Sequence, residues 1–197
     1  MLEGQQVRLE PLSFEHLDGL CAVGLDPDLW RWVPTQVRSR EDMAAYVRKA
    51  LDEQQRGMSL PFATIFRDTG QVIGSTRFLN MEPKNCRVEI GATWIGRTWQ
   101  RTAVNTEAKY LMLRHAFEEW RCLRVEFKTD ALNVRSRRAI LRLGAKEEGI
   151  LRRHVVADTG RVRDTVYYSI LDGEWPSIKA ALQTKLDTHV DRDQAQT

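Results

Sequence analysis

Between residues 62 and 95, three apolar, alternating segments follow one another with only short turns between them. No other feature narrows the fold of this chain so far. Alternation with a period of two places successive side chains on opposite faces of a strand. Residues 62–66 and 72–79 flank Asp68-Thr69-Gly70, a turn that joins neighbouring antiparallel strands. Residues 87–95 form the third strand, with Val88, Ile90 and Ala92 on one face. Strands joined this tightly lie side by side as a meander. The pattern then changes. Residues 104–120 read as a long helix and 123–129 as another strand. Asn133 caps a second helix, which ends at Leu143 with Gly144 as its left-handed terminator. A strand–helix–strand step brings the chain back in parallel. The sheet is therefore mixed, mostly antiparallel, and splayed between the strand ending near Ile95 and the one starting near Leu123, a natural ligand crevice.

The flanks extend this α+β plan. Residues 5–11 alternate as a first strand, and Ser13 caps a helix with Leu17, Leu20 and Cys21 on its apolar side. Asp26-Pro27-Asp28 interrupts it, and 29–34 form an aromatic-rich loop or short helix. Ser39 and Asp42 resemble a capping box for a helix over 40–55, ended by Gly57. Residues 148–156 and 163–171 close as a hairpin around Asp158-Thr159-Gly160, and Trp175-Pro176 starts a terminal helix. The expected architecture is a central sheet of six to seven strands flanked by helices. It forms one domain over residues 1–190, with a frayed polar tail over 191–197 and no internal repeat or linker.

Length and composition agree. A chain of 197 residues, 42% hydrophobic and 29% charged, is long enough to bury a sizeable core. No apolar run approaches the roughly 18 residues of a membrane span, and Met1-Leu2-Glu3-Gly4 lacks the features of a secretory signal. Cys21, Cys86 and Cys122 are scattered, without metal-type spacing, as buried thiols of a reducing compartment would be. A cytoplasmic protein with no metal is expected. A formal charge of +3 is too weak to argue for nucleic acid. Arginines do cluster at 135, 137, 138 and 142 and again at 152, 153, 161 and 163, but no aromatic motif interleaves them. The first cluster lies on the helix opened by Asn133, and serves either as a solvated face or as a phosphate-facing surface.

Two helix starts carry the chemistry. A helix N-terminus presents unpaired backbone N–H groups and the positive end of its dipole, and so accepts phosphate. Gln100-Arg101-Thr102-Ala103-Val104-Asn105-Thr106 forms one such start, and Asn133-Val134-Arg135-Ser136 the other; each follows a strand. Together they resemble the cofactor clamp of the GCN5-related N-acetyltransferases, in particular the branch similar to the ribosomal-protein acetyltransferases. That family's loop reads Gln/Arg-x-x-Gly-x-Gly/Ala, matched here at Gln100, Ala103 and Asn105 and continued by Thr106-Glu107-Ala108-Lys109. Asn133-x-x-Ser136 before Leu143-Gly144-Ala145 resembles its second cofactor motif. Glu89-Ile90-Gly91 resembles the strand preceding the loop, and Arg161-Val162-Arg163-Asp164 also matches the branch. The likeness runs over residues 7–175. The family's glycines have become Arg101 and Ala103, and a positive φ at either costs of order 1 kcal/mol.

The resemblance implies acetyl-CoA as acyl donor and direct transfer of the acetyl group to a primary amine, protein N-terminal or small. It implies a pantetheine arm lying as an extra strand along Trp94 and Ile95. Arg101, Thr102, Ala103, Val104, Asn105 and Thr106 would meet the phosphates, with Gln100, Asn133, Ser136 and Arg137 completing the cofactor set. Glu89 is the candidate base for the amine proton, against the alternative of a salt-bridged strand carboxylate. Ser136 is the candidate donor to the leaving thiolate or a tether for the arm; the tyrosine that serves some relatives is replaced here by Ile140. Trp30 and Trp32 are candidates for an acceptor pocket, with Arg77 and Phe78 opposite, although core packing accounts for the tryptophans equally well. His115 reads as a packed helical residue. A homodimer follows from the branch resemblance alone; no specific nucleic acid or membrane partner is expected. The lost glycines leave a second reading open, a non-catalytic CoA-binding or sensing protein.

Overall fold

The structure, a computed structural model, describes residues 1–194. Its sheet has eight strands in the order β1-β2-β3-β4-β5-β6-β8-β7. These are β1 (Leu2–Glu3), β2 (Val7–Pro11), β3 (Ser59–Phe66), β4 (Val72–Glu82), β5 (Arg87–Ile95), β6 (Arg124–Asp130), β7 (Lys146–Val156) and β8 (Val162–Leu171). The meander over β3, β4 and β5 is antiparallel as expected. The short β1 lies beyond the six to seven strands of the sequence reading. Its two residues are too few to show a period, and it exists by pairing with β2.

The helices are α1 (Leu17–Gly24), α2 (Pro27–Trp30), α3 (Arg40–Gln55), α4 (Val104–Arg114), α5 (Val134–Arg142) and α6 (Trp175–Gln194). Their termini follow local chemistry. Ser39 and Asp42 form the capping box of α3, and Gly144 takes φ +101° after α5. The long helix expected over 104–120 is α over 104–114 and then a π turn, His115–Glu119. The terminal helix continues to Gln194, into the stretch expected to be a frayed tail; residues 195–197 of that tail lie outside the described residues. No described helix is long and apolar enough to cross a membrane.

Two cores flank the sheet. One joins Val88, Ile90, Val125, Phe127, Val166 and Tyr168 of the strands to α4, α5 and α6. The other packs Leu20, Trp30, Met43, Val47 and Trp94 under α1–α3. Burial of this apolar surface, at about 25 cal/mol per Å², drives the assembly.

The crevice arises from one parallel seam. β5 and β6 pair only at Arg87–Arg124, Val88–Val125 and Glu89–Glu126; beyond Glu89 the strands diverge. A bulge lies in the diverging part of β5. Ser75 pairs with Trp94 but Arg77 with Gly91, so β5 carries one extra residue there, and Ala92 takes φ +46°. The alternation expected to place Val88, Ile90 and Ala92 together therefore holds for the first two and breaks at Ala92.

Candidate active site

Both helix starts open onto the splay. No side chain caps α4, and Ala103 is its N-cap, so the first-turn N–H groups of Val104, Asn105 and Thr106 have no intrahelical acceptor. Before it, a 3₁₀ turn (Arg97–Trp99) leads into Gln100 and Arg101. Arg101 adopts φ +69°, whereas Ala103 is right-handed at φ −71°. The glycine-like geometry of this loop thus falls on Arg101 alone. The Thr102 hydroxyl donates to Trp99 O at 2.8 Å and tightens the turn. Val104 is a core residue.

Gln100 ties the two starts together. Its Nε2 donates to Ile95 O at 3.0 Å, and its Oε1 accepts from Arg135 on α5. Gly96 N donates to Ile73 O of β4, so alternation turns the polar backbone groups of Ile95 toward the crevice. Trp94 projects its ring to the other face, against Trp30 and Tyr46. On α5, Asn133 Oδ1 accepts from Ser136 N at 3.0 Å, the helix cap expected of it, and Ser136 is partly buried beside it. Arg137 is committed within the protein: it donates to Tyr168 Oη, Ala131 O and Glu147. Those bonds, with Tyr168 Oη the foremost, hold its pKa above the usual arginine value. Arg135, named in the sequence within the second helix start and its arginine cluster but not among the cofactor residues, is the arginine that reaches the loop.

Glu89 lies on the β5–β6 seam, on the face opposite Val88 and Ile90. Asn80 Nδ2 donates to its Oε2 at 2.6 Å, and Lys128 Nζ stands 2.7 Å from the same oxygen. Burial alone lowers Lys128, but the bond and charge of Glu89 outweigh it and hold the ammonium above the usual lysine value. Asp130 binds Arg161 next to this pair, and Arg163 is buried with its Nε unpartnered. Burial lowers Arg163, partly offset by Asp130 and Glu89.

The four residues expected around an acceptor do not form one wall. Trp30 is 1% exposed, its Nε1 donating to Gly24 O at 2.7 Å, so it backs the site as core. Arg77 is 4% exposed, paired with Glu53 and stacked on Tyr46. Phe78 is fully buried on the opposite face against Phe62 and Trp120, because adjacent strand residues point to opposite sides. Trp32 is the accessible one, held between Arg31 and Arg161 where the loop after α2 meets the β7–β8 turn.

A further polar group went unmarked as a site in the sequence. Lys109, on α4, is 5% exposed and donates to Thr76 and Thr93. His115, in the π turn, packs between Phe78 and Trp120, and burial lowers its pKa.

A splayed mixed sheet with an uncapped helix start on one side and a second start tied to it through Gln100 and Arg135 is the arrangement of a transferase fold with room for a phosphate-bearing cofactor. Residues 6–146 match the family described as Acetyltransferase (GNAT) domain, and the chain belongs to that family. It is 27% identical over 175 residues to the uncharacterized N-acetyltransferase p20 of Bacillus licheniformis, covering 87% of this chain and 96% of p20. It is 33% identical over 110 residues to the putative ribosomal N-acetyltransferase YdaF of Bacillus subtilis, covering 56% of this chain and 59% of that one. The crystal structure of a putative acetyltransferase from T. thermophilus superposes with TM-score 0.86 at 37% identity, covering 94% and 96% of the two chains. The chain is an acetyl-CoA-dependent N-acetyltransferase by family.

Proposed function

We propose that this chain moves an acetyl group directly from acetyl-CoA to a primary amine, on a protein N-terminus or a small molecule. The observation that carries the reading is the uncapped start of α4, joined through Gln100 and Arg135 to the start of α5 across the splay. Those free N–H groups fit a pyrophosphate without requiring glycine at position 103, since Ala103 is right-handed. Arg101, Thr102, Ala103, Val104, Asn105 and Thr106 hold the phosphates, with Asn133, Ser136 and Arg137 shaping the second side. The pantetheine arm lies along Trp94 and Ile95 and pairs with the backbone of Ile95, the polar groups of Trp94 being turned to β4. Bound acetyl-CoA supplies a thioester, the activated acyl group for transfer.

Glu89 takes the amine proton, directly or through water. Lys128 Nζ, 2.7 Å from its Oε2, and Asn80 Nδ2 hold the carboxylate in place on the seam. Trp32, with Arg161 beside it, borders the acceptor entrance. Ribosomal proteins are the acceptors to test first, a choice supported by a relative named a putative ribosomal N-acetyltransferase. A cytoplasmic location and one domain over residues 1–190 complete the proposal. So does a homodimer, for which the exposed Ile150, Leu151 and Val156 of the outermost strand β7 offer apolar surface. The deciding assay offers acetyl-CoA with a panel of peptide and small amines and follows free thiol. Thiol release that tracks one amine class supports the reading; CoA binding without transfer to any amine returns the sensor alternative.

A further inference from the structure

Lys109 lies in the middle of an otherwise apolar stretch: Ala108, Tyr110, Leu111, Met112 and Leu113 around it are all buried. Its Nζ is 2.8 Å from Thr76 Oγ1 on β4 and 2.5 Å from Thr93 Oγ1 on β5, and the two hydroxyls are 2.8 Å apart. Met112 Sδ lies beyond Thr76 at 3.6 Å. No carboxylate pairs with Lys109 among the described residues. Burial is the sole cause acting on it, so no charge on β4, β5 or α4 offsets its desolvation, and its pKa falls from 10.5 to about 7. A lysine placed so costs stability that methionine at the same position would not. Its surroundings therefore suit a proton carrier better than a structural ion.

The other end of this triad is open. Thr93 is exposed, directly follows the bulge at Ala92, and precedes Trp94 and Ile95 in the part of β5 that has left β6. Its hydroxyl, which also donates to Gly91 O at 3.3 Å, thus leads from the buried amine to the exposed side of β5 beside the bulge. Across the gap, α5 presents Ser136 without an ionisable partner among the described residues, and the apolar Ile140.

We propose that Thr93 and Lys109 form the relay that returns a proton to the thiolate when the acetyl group departs. The proposal rests on the acetyl-transfer reading above. The acceptor nitrogen forms a C–N bond to the acetyl carbon as the C–S bond breaks, and the electron pair of that bond leaves on sulfur. The Thr93 hydroxyl gives its proton to that sulfur and takes one from the Lys109 ammonium. The proton lost by the acceptor nitrogen leaves through Glu89 to solvent, and solvent returns one to the neutral Lys109. Thr93 is the group at the reacting atoms, and Lys109 acts through it.

The test compares wild type with Lys109→Met, Thr93→Val and Thr93→Ser. The kcat is measured from pH 6 to 9.5, and the Lys109 side chain is titrated by lysine ¹³Cε NMR in free protein, with CoA, and with desulfo-CoA. Lys109→Met and Thr93→Val should each lower kcat at neutral pH by about tenfold, below the usual span for acid catalysis because a thiolate leaves readily. KM for acetyl-CoA should change little, Lys109→Met should lose the alkaline fall in kcat, and Thr93→Ser should restore activity. The NMR midpoint should lie near neutrality and move with CoA but not with desulfo-CoA. A Lys109→Met enzyme with wild-type kcat and pH profile overturns the relay and leaves the acetyl-transfer reading standing. So does a midpoint above pH 9, or one indifferent to the thiol. A wild type that binds CoA but transfers acetyl to no amine overturns the acetyl-transfer reading, and the relay with it.

Discussion

At position 101 the backbone takes a left-handed turn, and the chain places an arginine there. A non-glycine residue in this region costs about 1 kcal/mol, so Arg101→Gly should raise stability by about that amount in a denaturant titration. Ala103→Gly should not, since φ at 103 is already right-handed. Lys109 sets a pH dependence whose sign is definite. Its folded pKa, about 7, lies below the 10.5 of the unfolded chain, so between these values the unfolded state binds more protons. Stability should therefore rise from pH 7 toward 10.5. Lys109→Met should be more stable than wild type at pH 7, by at most on the order of 5 kcal/mol, and lose that advantage at alkaline pH. Urea unfolding at three pH values measures both. Glu89→Gln should reduce kcat far more than CoA affinity and change the acidic limb of the rate profile. An unaltered profile would remove Glu89 from the base role.

At the scale of one element, α4 does three things, of which its pattern announced one. The helix start itself was legible, because a helix that opens just after a strand has a recognisable local sequence. The other two depend on contacts with distant parts of the chain. Glu107 accepts from the backbone N–H groups of Gln5, Gln6 and Val7 at 2.6, 2.8 and 2.7 Å, tying the beginning of β2 to the helix. Glu107→Ala strands three donors, and should cost about 3 kcal/mol and speed amide exchange over residues 5–7 more than elsewhere. Lys109, two residues on, stood in the sequence only as part of the family-like continuation of the loop; the docking of α4 on β4 and β5 buries it. The capping box of α3, the hairpin turns and the Gly144 stop were readable for the opposite reason, since each is closed within a few residues.

For the whole molecule, CoA should behave as a ligand of the folded state alone. At 100 times its Kd it should stabilise the protein by about 2.7 kcal/mol, visible as a rise in Tm. Asn133→Ala and Ser136→Ala should shrink that rise, and unchanged affinity would displace them from the clamp. The sequence by itself determined the strand–helix order, the α+β class, the splay after the third meander strand and the two helix starts. All of these arise from period, caps and turns, which are local. Tertiary structure alone decided which arginine meets the loop, that Trp30 and Phe78 lie in different cores, and that the glycine-like turn falls on Arg101 rather than Ala103. It also decided that Lys109 is buried beneath Thr93. Burial and charge pairing are properties of what packs against a residue, and a strand that bulges and diverges selects those neighbours only once the sheet is assembled.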